Sequence, residues 1–73
     1  MPKLRVLSGR QLMAILAQHG FQEVRQRGSH VIMQLAHDEG TLSIPVPDHR
    51  EIRIGTLMSI IRQSGLDKNL FAV

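Results

Sequence analysis

Cysteine is absent from this 73-residue chain, so it offers no disulfide framework and no thiolate metal site. A reducing compartment, the cytoplasm, suits such a composition. Tryptophan and tyrosine are also absent, and only Phe21 and Phe71 carry phenyl rings. Both read as core residues, which argues against binding single strands by stacking bases on exposed rings. No apolar run approaches the roughly 18 residues of a membrane-crossing helix, and the chain start lacks a signal-peptide pattern. The sequence therefore predicts neither a membrane partner nor export. No repeat, low-complexity tract or linker divides it, so residues 1–73 read as a single domain. A chain of this size buries roughly 60% of its surface on folding.

What is present is ordinary for a globular protein: 42% apolar and 21% charged residues, with a net charge of +3. The charge is uneven. Residues 1–35 carry Lys3, Arg5, Arg10, Arg25 and Arg27 against Glu23 alone, a balance of +4. Residues 36–73 carry four cations against five carboxylates, a balance of −1. A basic front half suits a polyanion or an acidic protein partner.

Hydrophobic spacing orders the chain as α-β-β-β-α. Residues 1–7 form a basic lead-in whose Lys3 and Arg5 are candidate phosphate contacts. Ser8 and Gln11 have capping-box spacing and predict a helix from about Gly9 to His19. Leu12, Ile15 and Leu16 share a face that Met13 widens and His19 prolongs. Gly20 has the place of a C′ cap, and Phe21 plugs the gap between helix and sheet. Three strands follow, at about 21–27, 30–35 and 41–46. In the first, Val24 is the clearest core candidate. In the second, Val31, Met33 and Leu35 face the core and His30, Ile32 and Gln34 face away. In the third, Leu42, Ile44 and Val46 point inward, while Pro45 requires a strand end or an edge. A second helix spans about Ile54 to Ser64, with Leu57, Ile60, Ile61 and Ser64 on one stripe and Gly65 as its cap. Leu66, Leu70 and Phe71 close the core in a short turn capped by Asp67. Short links between successive strands favour antiparallel pairing. The fold class is α+β: a three-stranded antiparallel sheet with two helices on one face, the arrangement of double-stranded-RNA-binding domains.

The chemistry concentrates between Gly20 and Leu35. Gly28-Ser29 forms a tight turn between two strands, with Arg25 and Arg27 entering and His30 leaving on the solvent face. Histidine as a residue type ionises near neutral pH, at about 6.5, and serves as either acid or base. Arginines beside it hold phosphate. The competing structural reading is a solvated surface histidine among solubilising charges.

Gly20-Phe21, Arg27-Gly28-Ser29-His30, Ile44-Pro45-Val46, Gly55-Thr56-Leu57 and Ile60-Ile61-Arg62-Gln63-Ser64-Gly65-Leu66 together resemble the HicA (YcfA-like) family of bacterial toxins. The resemblance runs in order from about Ser8 to Phe71. It implies a double-stranded-RNA-binding-like fold, ribosome-independent cleavage of mRNA and a HicB-like antitoxin; no DNA contact by the chain itself is expected. The family's motif histidine corresponds to His30. Many relatives carry a second histidine directly after the Pro-Val that ends the third strand. Here that place holds Pro47, with His49 two residues on.

Metal-free RNA cleavage needs a base for the 2′-hydroxyl, an acid for the departing 5′-oxygen and cations for the phosphorane. His30 fits the first or second role, and Arg25 and Arg27 fit the third. The amides of Gly28 and Ser29 are further donors. The second acid–base group stays open between His49 and His37. No cofactor is implied. The four histidines lack metal-ligand spacing, and Ser29 beside His30 on a strand gives no catalytic triad. The methionines read as core filler. The alternatives are a non-catalytic RNA-binding module of the same fold, and a protein-interaction domain whose basic face meets an acidic partner.

Overall fold

The computed structural model describes residues 6–72; Lys3 and Arg5 lie outside that range. The elements are α1 (Gly9–Gln18), β1 (Gln22–Arg27), β2 (His30–His37), β3 (Gly40–Pro47), α2 (Ile54–Ser64) and a 3-10 turn (Lys68–Phe71). The strands pair antiparallel in the order β1-β2-β3, so β2 is central and the other two are edges. The sequence reading predicts this α-β-β-β-α order, and the structure has it.

Each helix is bounded by local chemistry. The Ser8 hydroxyl accepts from the Gln11 amide at 3.1 Å and the Gln11 side chain accepts from the Ser8 amide at 3.0 Å, which completes the capping box. Gly65 ends α2 at φ 72°, in the left-handed region. The Asp67 carboxylate accepts from the Asn69 amide and opens the final turn.

Both helices lie on one face of the sheet, and the core fills the space between. Leu12, Met13 and Leu16 from α1, Val31 and Met33 from β2, Ile44 and Val46 from β3, and Leu57, Ile60 and Ile61 from α2 are all buried there. Phe21 and Phe71 are buried in the same cluster. Leu7 and Ile52 also bury, joined by a bond from the Ile52 amide to the Leu7 carbonyl at 2.8 Å.

Three expectations need correction. Val24 is exposed, because the register slips between Glu23 and Arg25: these oppose the consecutive Met33 and Ile32, and Val24 opposes nothing. An extra residue of this kind breaks alternation and leaves its side chain outside the pairing. His19 is exposed at the C-cap of α1 rather than on its buried stripe. Leu70 is 39% exposed, so of the two Phe71 alone is buried.

Gly9 is buried where α1 begins, against the segment that leaves β3. Its amide donates to the His49 carbonyl at 2.8 Å. A Cβ at this position would collide with the Pro47 carbonyl and lie 3.0 Å from the Asp48 Cα. Backbone atoms cannot swing aside as a flexible side chain can. Gly9→Ala is therefore expected to destabilise the fold by about 1–3 kcal/mol. Ser8→Ala, which removes only a cap, should cost about 1 kcal/mol. Urea denaturation of the two variants beside wild type checks the ranking.

Candidate active site

The site is built at the end of the sheet where β1 turns into β2. Gly28 has φ 60° and Ser29 a negative φ, the sign pattern of a type II′ hairpin turn, which wants glycine first. That turn sets the register: Arg27 opposes His30, and Arg25 opposes Ile32. Residues directly opposite on antiparallel strands share a face with Cβ atoms about 4.5–5.5 Å apart. Arg25, Arg27 and His30 therefore occupy one face, the one away from both helices, and all three are exposed.

His30 is also opposite Pro47 on β3, so it begins the central strand with a neighbour on each side. The loop after β3 is tied to the turn by a bond from the Asp48 amide to the Ser29 carbonyl at 2.7 Å. The Gln26 side chain donates to the Gly28 carbonyl at 3.1 Å. Both turn carbonyls are thus occupied, and the amides are what Gly28 and Ser29 offer a ligand. Among the described residues no side-chain hydrogen bond holds the His30 ring.

The other histidines separate by position. His37 ends β2, opposite Gly40, and seven residue steps of extended strand put it about 23 Å from His30. His49 follows the Asp48 link and stands at the same end of the sheet as His30. It lines a hollow of about 270 Å³ with Pro47, Glu51, Ile52, Arg53 and Thr56. Of the two histidines left open by the sequence, His49 follows the residue bonded to the hairpin turn, and His37 lies at the far end of β2.

The cations separate as well. Arg10 donates to the Asp48 carboxylate at 3.0 Å and reaches Glu23 at 3.9 Å, so its charge is engaged within the protein. These pairs are solvent-exposed and worth about 0–1 kcal/mol each. Among the described residues Arg25 and Arg27 make no ion pair and remain open to an anion. Asp48, which joins the turn to the loop and neutralises Arg10, is the site residue that sequence reasoning missed. Its partners are 19 and 38 positions away, and no local pattern announces such links. Among the described residues no three His, Cys, Asp or Glu side chains cluster as a metal site.

A family model described as the HicA toxin of bacterial toxin–antitoxin systems matches residues 9–66. The chain belongs to that family. The matched span runs from the first residue of α1 to just beyond α2, and so contains the whole sheet and the turn carrying His30. This HicA-family protein is accordingly the toxin of a toxin–antitoxin system, and its family implies an antitoxin partner. No match was found among curated proteins. Among the described residues of the toxin, no helix is long and apolar enough to cross a membrane.

Placement of His30 depends on the left-handed conformation of Gly28, beside which there is open space. Gly28→Ala should lose about 1–2 kcal/mol through backbone strain alone, and Gly28→Asn should lose less because asparagine tolerates that region. Thermal melts rank the three proteins, and the His30 ring signal in an NMR spectrum reports any change of its surroundings.

Proposed function

We propose that the toxin is a metal-independent endoribonuclease that cleaves mRNA, with His30 as general acid or base and Arg25 and Arg27 as phosphate contacts. The observation that carries this reading is the shared face of the hairpin end: one histidine flanked by arginines free of internal ion pairs. In the reaction, a base removes the proton of a ribose 2′-hydroxyl and that oxygen attacks the neighbouring phosphorus. The bond from phosphorus to the 5′-oxygen breaks, and an acid returns a proton to the leaving oxygen. His30 takes one of these proton transfers and His49, at the same end of the sheet, is the candidate for the other. Arg25, Arg27 and the amides of Gly28 and Ser29 offset the charge gathering on the phosphorane.

Because these contacts address phosphate and ribose rather than base edges, sequence preference is loose and binding weakens steeply with salt. Lys3 and Arg5 belong to the same proposal as further phosphate contacts. A HicB-like antitoxin inhibits by covering His30 and the arginine-bearing strand, the shortest route to blocking the site.

Growth arrest and RNA cleavage by wild type and His30→Ala, with EDTA in the cleavage assay, test the proposal. Loss of a positioned acid–base group should lower the EDTA-resistant rate by about 10²–10⁴-fold. Equal rates in the two proteins would remove His30 from the mechanism. The exposed and unheld His30 ring favours one alternative, a non-catalytic RNA-binding module. On that reading wild type binds RNA and cuts none, and His30→Ala weakens binding only modestly. In either case Arg25→Gln and Arg27→Gln should each reduce the slope of log affinity against log salt by roughly 1, measured by fluorescence anisotropy on a non-cleavable RNA.

A further inference from the structure

A second recessed surface lies on the opposite side of the molecule. α2 turns its Leu57, Ile60 and Ile61 stripe toward the sheet, so its remaining side looks outward. There Ile54 and Met58, one helical turn apart, are 58% and 43% exposed. Arg62 continues the same row. Between the end of α2 and the 3-10 turn a hollow of about 180 Å³ opens, lined by Met58, Ile61, Arg62 and Lys68. Its floor is aliphatic and its rim is cationic. Among the described residues neither Arg62 nor Lys68 makes an ion pair. The adjacent Asp67 carboxylate is engaged with the Asn69 amide at 2.9 Å.

We infer that this hollow docks an acidic segment of the antitoxin, with one apolar side chain seated on Met58 and Ile61 and flanking carboxylates on Arg62 and Lys68. The floor decides against RNA, which would satisfy the cations and leave the aliphatic surface uncovered. A second copy of this chain fits less well: its Glu23, beside the exposed Val24, already faces Arg10 at 3.9 Å. The copy's acidic hairpin, Asp38-Glu39 between His37 and Gly40, supplies charge and no apolar anchor. His30 is on the outer face of the sheet and α2 covers the inner face, so a segment held here grips the toxin without touching His30. The inference rests on the antitoxin partner that family membership implies, and not on the cleavage reading.

The test titrates purified antitoxin of the same system against wild-type toxin, Met58→Glu and the double variant Arg62→Glu/Lys68→Glu, by calorimetry at low and high salt. The substituted side chains are largely outside the core, and thermal melts confirm that each variant is folded. Each variant should bind about tenfold or more weakly, the size of a single interface hot spot. Wild type should also lose more affinity with added salt than the double variant does. Wild-type affinity in both variants would overturn the assignment. So would a dimer of free toxin that Met58→Glu converts to monomer, which would put a second copy in the hollow. Neither readout involves RNA, so failure here is distinct from failure of the nuclease.

Discussion

The approach of two stretches of backbone, Gly9 against residues 47–49, is the contact on which this structure turns. A side chain at position 9 would hold the segments apart. Without one, the Gly9 amide reaches the His49 carbonyl, and the Ile52 amide reaches Leu7 just before the helix. The same segment donates from Asp48 to Ser29 in the hairpin turn. Start of α1, exit of β3 and tip of the first hairpin become one hydrogen-bonded corner. Backbone groups buried in such a corner must be paired or they cost free energy, so the pairing fixes the geometry and also justifies it. Leu7 and Ile52 then fall into the core as a consequence.

Core and site divide the labour sharply. Among the described residues the buried side chains are apolar except for Ser64, whose hydroxyl donates to the Ile61 carbonyl at 2.7 Å and accepts from the Leu66 amide at 3.1 Å. No buried side-chain polar atom among the described residues lacks a partner. Arg25, Arg27 and His30 are instead exposed, and the arginine charges are screened by solvent. Their backbone positions are fixed by the hairpin and the corner.

Periodicity made most of the fold legible. The limits of α2, the capping box at Ser8, the inward faces of β2 and β3, and the Gly65 cap follow from local spacing and local chemistry. Placement of Arg25, Arg27 and His30 on one face was legible for the same reason, since a two-residue turn fixes register. Val24 was misread because a bulge leaves no mark in alternation until the partner strand is known. Leu7, Gly9 and Asp48 were illegible in a stronger sense. Their roles arise from neighbours about 40 positions away, or from a turn and a loop that only the finished sheet brings together. The family resemblance pointed to His30 and left His37 and His49 open; the length of β2, which holds His37 far from His30, is legible only once the strand's limits are known.

Pro45 and Pro47 share the outward parity of β3, an edge strand paired to β2 on its other side. Proline has no N–H, so along half of that margin an incoming strand would meet carbonyls with no donor between them. Self-association by sheet extension, the usual hazard of a bare edge, is thereby discouraged on this side. The opposite margin, β1, is interrupted by its bulge. A small protein with one face of its sheet uncovered thus offers a neighbouring strand two edges that are each interrupted, one by prolines and one by a bulge.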